Sequence, residues 1–216
     1  MDDSIMEAGF IGILRHRFAV DGEGVTTLAA FHGCPLNCRY CLNAQCKQAE
    51  GVVQRLTPQQ LVEEIRKDEL YFFATGGGIC FGGGEPLLQS TFIKAFHHLL
   101  PHKWPITVET SLAVPLPRLL EVIPFVSQFI VDIKDMDAAV YEQYTGQSPT
   151  LRDACLTALL PMQERVLLRL PLIPGYNTPK HQQQSKEALQ KMGFTRFDLF
   201  TYKTSPSQTP NQVHTI

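Results

Sequence analysis

The sequence has no surplus of positive charge. Nineteen Lys and Arg stand against 21 Asp and Glu, a formal net charge of −2, so it lacks the cationic footprint that neutralises nucleic-acid phosphates. No apolar run reaches the roughly 18 residues of a membrane-spanning helix. The opening Met1-Asp2-Asp3 carries acids where a secretory signal carries Lys or Arg, and the chain is expected to be cytoplasmic. Cysteine is scarce, six in 216 residues. A chain of this length buries roughly 70% of its unfolded surface without covalent staples. In a reducing compartment its cysteines are expected as thiols, whose spacing then points to metal or redox chemistry. Internal repeats, low-complexity tracts and linkers are also missing. One domain is therefore expected over residues 1–204, followed by a polar tail at 205–216. His97-His98 and His102 have no second pair at zinc spacing and read as surface or interface residues.

What the sequence does have is alternation. Val25 to His32 is a β-rich apolar run stopped by Gly33-Cys34-Pro35. Thr57-Pro58-Gln59-Gln60 combines a capping Thr, Pro at the first helical position and Gln three residues after the cap, predicting a helix of about three turns. Further strands are expected at Ile79 to Gly82, Ile106 to Thr110, Gln128 to Ile133, from Val166, and at Phe197 to Phe200. Helices are expected at Leu88 to Leu100, from Pro117, at Ala138 to Tyr144, Leu151 to Leu160 and Lys180 to Met192. Six strands separated by helices imply parallel β/α units, either a doubly wound sheet or part of a barrel. Both collect ligands at the C-terminal strand ends, where the chemically informative residues of this sequence fall.

The most informative of these ends carries Cys34, Cys38 and Cys41, spaced C-x3-C-x2-C, with Cys46 close behind. Thiolates select zinc or iron-sulfur over hard cations. Cys46 could complete a four-ligand site, whereas three cysteines alone on a four-iron cluster leave one iron open to a substrate. Cys80 and Cys155 read as buried small hydrophobes. After the second strand comes Gly82-Gly83-Gly84-Glu85-Pro86, where glycine permits close backbone approach and the carboxylate can accept from an ammonium or cap the next helix. Arg169, alternating with Leu168 and Leu170, needs an anion or carbonyl partner. Lys134 beside Asp132 or Asp135 also reads as a plain solvated pair, and Tyr40 as a packing residue.

The loop Cys34-Pro35-Leu36-Asn37-Cys38-Arg39-Tyr40-Cys41 has the CxxxCxΦC signature and so resembles that of radical S-adenosylmethionine (SAM) enzymes. Gly83-Gly84-Glu85 is similar to their GGE motif. The segments DGEGVTTLAAFHGCPLNCRYCLN, VDIKDMD, YEQYTG and LRLPLIPGYN resemble those of pyruvate formate-lyase activating enzymes and related glycyl radical enzyme activases. The resemblance covers roughly residues 20 to 203. It implies an α/β fold, a partial (β/α)6 barrel open on one side. It also implies one [4Fe-4S] cluster on Cys34, Cys38 and Cys41, whose electron cleaves SAM to a 5′-deoxyadenosyl radical that abstracts hydrogen. Carried over by motif, Gly83, Gly84 and Glu85 would hold the methionyl amino group and Tyr40 and Ser111 would lie near the adenosine. Glu109 and Thr110 would lie near the ribose or methionyl group, and Asp132, Lys134 and Arg169 around the carboxylate. The expected partners are a glycyl radical enzyme or another polypeptide and a flavodoxin- or ferredoxin-type reductant.

The sequence departs from that pattern in four places. Glu23 stands where Pro is usual, Thr26 where Arg is common, and Leu42-Asn43-Ala44 where His-Asn-Pro is frequent. Lys203 stands where a His would approach the cofactor. With only Cys46 and Cys80 between the loop and GGE, the ligands for two additional cubanes are missing. The rival readings are radical modification of a peptide or small molecule and, in a different class, a four-cysteine iron-sulfur or zinc module for binding or electron transfer.

Overall fold

The computed structural model describes residues 6–100 and 104–202. His102, Lys203 and the tail at 205–216 lie outside the described residues. The strands are β1 (Ala8–Phe18), β2 (Val25–Phe31), β3 (Gln54–Leu56), β4 (Ile79–Gly83), β5 (Ile106–Thr110), β6 (Gln128–Asp132), β7 (Val166–Leu172) and β8 (Phe197–Thr201). They form one sheet in the order β3-β1-β2-β4-β5-β6-β7-β8. From β2 to β8 every pairing is parallel. The sheet does not close on itself, since β3 and β8 are its two edges.

The six expected parallel strands are all present. The sheet also holds a further pair that was not expected: β1 runs antiparallel to β2 and carries the short β3 on its outer side. Its sequence hides it, because Arg15 and Arg17 interrupt the apolar run. Both guanidiniums are neutralised in the fold, Arg15 by Glu64 and Asp68 and Arg17 by Asp21.

The helix opened by Thr57 has the predicted capping box, with Thr57 Oγ1 accepting from Gln60 N and Gln60 Oε1 from Thr57 N. It is shorter than expected. α1 (Pro58–Ile65) ends in a tight turn at Arg66–Asp68, and α2 (Glu69–Thr75) restarts beyond it. The break turns Asp68 inward, 2% exposed, where it accepts from Thr27 Oγ1 at 2.7 Å. The remaining helices are α3 (Ser90–Leu99), α4 (Leu116–Val122), α5 (Ala138–Thr145), α6 (Thr150–Leu159) and α7 (Pro179–Met192). They lie close to the predicted spans.

Parallel strands covered on both faces read as continuous apolar runs, and β2 and β4 are buried almost throughout. Phe10 of β1 stacks on Phe31 of β2, Phe31 on Phe81 of β4, and Phe81 meets Phe96 of α3 edge-on, with centroids 4.6 to 5.5 Å apart. Each such ring buries on the order of 150–250 Å², so the core fixes the strand ends from which the site is built. Among the described residues, no helix is long and apolar enough to cross a membrane.

Candidate active site at the carboxyl ends of the strands

A cavity of about 380 Å³ lies at the C-terminal ends of the parallel strands. Cys34, Cys38 and Cys41 line it from the loop after β2. Gly83 and Gly84 line it at the end of β4, Glu109, Thr110 and Ser111 at the end of β5, Asp132 and Lys134 at the end of β6, and Arg169 from β7. The parallel register puts these ends level, with Phe31 opposite Gly83 and Asp132 opposite Arg169.

The cysteine loop and the glycine run are locked together. Gly84 N donates to Phe31 O at 2.9 Å, Glu85 N to Gly33 O at 2.8 Å, and Asn43 Nδ2 to Gly83 O at 2.9 Å. A Cβ on Gly84 would lie 2.1 Å from the Gly33 carbonyl oxygen, and one on Gly83, at φ +91°, would lie 2.8 Å from the Ala30 Cα. Glycine is required here by contact between two segments of this chain, whereas sequence reasoning tied it to the approach of a ligand.

Two of the predicted residues do not line the cavity. Glu85 is 1% exposed and does not line the cavity. Its Oε1 accepts from Thr110 Oγ1 at 2.6 Å and from Leu87 N, and its Oε2 from Ser111 N and Ser111 Oγ. Burial pushes its pKa up, while those four bonds pull it down. Of the two roles the sequence allowed, acceptor for an ammonium or cap of the next helix, the carboxylate takes the second through Leu87 N, and it also supports Thr110 and Ser111. Tyr40, 3% exposed, also stays off the cavity wall. It packs edge-on against Tyr144 and Tyr176 and donates to the Pro174 carbonyl at 3.2 Å.

The charged wall is strongly coupled. Lys134, in the left-handed region at φ +66°, is 9% exposed and donates to Asp132 Oδ2 at 2.9 Å, so it is not the solvated pair that the sequence allowed. Burial is the largest single influence and would lower its pKa, but Asp132 together with Cys38, Tyr202 and Tyr144 outweighs burial and holds it well above the usual lysine value. Arg169 reaches three elements: Glu109 Oε1, the Val20 carbonyl oxygen at 2.6 Å and, more distantly, Asp198 at 3.5 Å. Burial and the neighbouring Asp132 push Glu109 up to about 7 despite that partner.

The cavity also has lining that sequence reasoning did not assign, including Val20 from the β1–β2 turn, Asp198 and Phe200 from β8, and Tyr202 just after it. The β8 residues were accessible in principle, because residues two apart on a strand share a face. Val20 carried no such signal.

The donor set fits an iron-sulfur cluster. Three soft sulfurs open into one cavity from one loop, and among the described residues no three His, Cys, Asp or Glu side chains converge on a single metal ion. Tetrahedral zinc, with bonds of about 2.3 Å, draws its sulfurs much closer together. Cys46 is buried against Cys34 and Cys41, whose pKa values its hydrogen bonds lower, and it does not line the cavity. Burial pushes Cys38 up. The other two cysteines are fully buried, as expected.

An open α/β sheet with three thiols at the end of its first parallel strand defines an enzyme class built around a cysteine-held cluster. The family model described as the radical SAM superfamily matches residues 29–180, and the chain belongs to that superfamily. It is a radical SAM enzyme that uses a [4Fe-4S] cluster and SAM. Among curated proteins it is similar to the (2S)-3-sulfopropanediol dehydratase activating enzyme of Klebsiella oxytoca, 35% identical over 74% of this chain and 70% of that protein. It is also similar to the pyruvate formate-lyase-activating enzyme of Clostridium pasteurianum, at 28% identity over 87% and 76%. These relatives place it with the activating enzymes. Among solved structures, SuiB of Streptococcus suis matches with a TM-score of 0.63 at 12% identity, over 82% of this chain and 38% of that one. Coproporphyrinogen III oxidase (HemN) of Escherichia coli matches at 0.57 and 15%, over 93% and 52%. At those identities the likeness is one of fold.

Proposed function

We propose that this protein activates a glycyl radical enzyme by removing a hydrogen atom from a glycine of that partner. The observation that carries this reading is the 35% identity to a dehydratase activating enzyme over most of both chains. In this reading Cys34, Cys38 and Cys41 hold the cluster, which when bound supplies the electron that cleaves SAM to methionine and the hydrogen-abstracting radical. The backbone of Gly83 and Gly84 meets the methionyl end. Thr110 and Ser111, held from below by Glu85, present hydroxyls to the cofactor, and the Asp132–Lys134 pair meets its charged groups. Arg169 and Glu109 fix the deeper wall, and Tyr40 braces the loop from behind.

Such a reaction demands no acid or base from the protein, because the departing hydrogen leaves as an atom. What the chain supplies is orientation and exclusion of water. A glycine on a polypeptide loop suits an open sheet better than a closed barrel, and a backbone radical delocalised over two amides suits glycine. The electron is taken to come from a flavodoxin- or ferredoxin-type protein.

The test is anaerobic incubation of the reduced, cluster-loaded protein with SAM and candidate glycyl radical enzymes. Release of 5′-deoxyadenosine together with a glycyl doublet in the paramagnetic resonance spectrum of the partner is the expected result. Consumption of a free peptide or small molecule, with no radical on any candidate partner, overturns the activase reading and favours a radical modifying enzyme.

A further inference from the structure

The sheet has two edges, and they are not alike. β3 is three residues long, carries the exposed Arg55 and contributes nothing to the lining of the cavity. β8 pairs with β7 over five consecutive residues without a bulge, and among the described residues no strand lies on its other side. Shortness, Lys, Pro, bulges and inward-pointing charge are the usual protections of an edge against pairing with another chain. Of these β8 has only the last, in Asp198, and that carboxylate lies 3.5 Å from the Arg169 guanidinium in the cavity wall.

The direction of the peptide groups along β8 follows from its ladder. Arg196 O accepts from Leu168 N at 3.0 Å, and Tyr202 N donates to Leu172 O at 2.8 Å. Strand geometry has a period of two, so the even-numbered residues turn their peptide groups to β7, and Phe197, Leu199 and Thr201 turn theirs to the open edge. Side chains alternate as well. Asp198 and Phe200 line the cavity, whereas Leu199 and Thr201 are exposed, Leu199 by 42%. A row of outward backbone donors and acceptors therefore borders the cavity directly.

A strand laid on this edge runs about 4.8 Å from β8. Its residues directly opposite Asp198 and Phe200 face the same way as they do, into the cavity. A glycine at such a position places no side chain there and points an α-hydrogen inward, where any other residue carries its Cβ.

We propose that the partner polypeptide binds by adding an extended segment to β8, pairing with the outward peptide groups of Leu199 and Thr201 and setting its target glycine at a cavity-facing position. This docking mode rests on the proposed activation of a glycyl radical enzyme. Main-chain hydrogen bonds supply the affinity in such strand addition, and pockets for alternate side chains supply the specificity. Here the alternate position is walled by Asp198 and Phe200. A polypeptide is the occupant because the edge offers backbone pairing and the strand that offers it also walls the candidate active site.

The probes are short synthetic peptides spanning the radical-bearing glycine of a glycyl radical enzyme that acquires its radical with this protein, each N-methylated at one position. Their binding to the full, cluster-loaded chain with SAM is measured by anaerobic calorimetry. Affinity is expected to fall about tenfold or more at every second position around the glycine and little at those between, the period of a strand paired along one side. The companion variant is Leu199→Pro, which removes one outward N–H on an edge strand while the even-numbered donors to β7 remain. It is expected to take up as much iron as the parent chain and to raise the KM for the partner about tenfold with a smaller change in kcat. Leu199→Val keeps the N–H and is expected to match the parent.

Equal losses at all N-methylated positions, or none, overturn the proposal, as does an unchanged KM in Leu199→Pro. If Leu199→Pro fails to take up iron, the periodicity of the peptide series decides. Dimerisation of the parent chain that Leu199→Pro abolishes assigns the edge to a second copy and overturns the proposal too. If no candidate enzyme acquires a radical, the activase reading falls and this inference with it. If a radical forms without the two-residue period, this inference falls alone.

Discussion

Glu85 Oε1 accepts a 2.6 Å hydrogen bond from Thr110 Oγ1, joining the end of the glycine run after β4 to the end of β5. Thr110 lines the cavity and Glu85 does not. The carboxylate that a motif reading aims at a ligand is instead the support on which Thr110 and Ser111 are set.

Glu85→Ala should therefore destabilise the cofactor-free chain. It strands the buried Thr110 hydroxyl and Leu87 N and removes the acceptor of the part-buried Ser111, at a cost on the order of 3 kcal/mol. SAM affinity should fall as well, through displaced hydroxyls. Urea unfolding without cofactor separates the two effects, and unchanged unfolding would refute the supporting role.

Substituting Gly84 should disturb the cysteine loop as well as the cofactor site. With the Gly33 carbonyl oxygen 2.1 Å from a Cβ at this position, even Gly84→Ala pushes backbone against backbone, and Gly84→Val more so. Iron uptake on reconstitution should drop in both. Full iron with weakened SAM binding would mean that the loop accommodates the side chain, and that the glycine serves the ligand after all.

Much of this arrangement was legible in the sequence. Buried parallel strands are written as apolar β-rich runs ending in turn residues, so β2, β4, β5, β6, β7 and β8 could be located. The site could then be placed at their ends. β1 could not, because its arginines look like surface residues until Glu64, Asp68 and Asp21 are seen around them. The destination of the Glu85 carboxylate was hidden for a related reason. A motif gives the chemistry of a side chain, but Thr110 and Ser111 reach it only through strand pairing. Val20 enters the cavity because the Arg169 guanidinium holds its carbonyl, a contact between distant segments.

Replacing Cys34, Cys38 or Cys41 singly by Ser should abolish stable cluster binding, since a cubane held by three thiolates has none to spare. The same change at Cys80 or Cys155 should leave iron uptake intact apart from any loss of stability. Iron and sulfide analysis after anaerobic reconstitution checks this. Retention of a full cluster by any of the first three variants would remove that cysteine from the ligand set.

Burial, the neighbouring Asp132 and the opposing Arg169 together place the Glu109 pKa at about 7, against an ordinary value of 4.5. A carboxyl whose pKa is raised by folding binds its proton more tightly in the native state than in the unfolded one. The stability it contributes is complete below about 4.5 and is lost as pH rises through about 7. Glu109→Gln cannot ionise and is spared that loss. Between pH 5 and 8 the stability of the parent chain relative to Glu109→Gln should fall by an amount on the order of 3 kcal/mol, since each tenfold difference in proton affinity between the two states is worth about 1.4 kcal/mol. Taking the difference cancels the carboxylates and histidines that do not interact with Glu109. Denaturant unfolding of the two cofactor-free proteins across that range measures it. A gap that stays constant with pH, or widens in favour of the parent as pH rises, would show that the Arg169 guanidinium keeps Glu109 ionised throughout and that the ion pair prevails over burial.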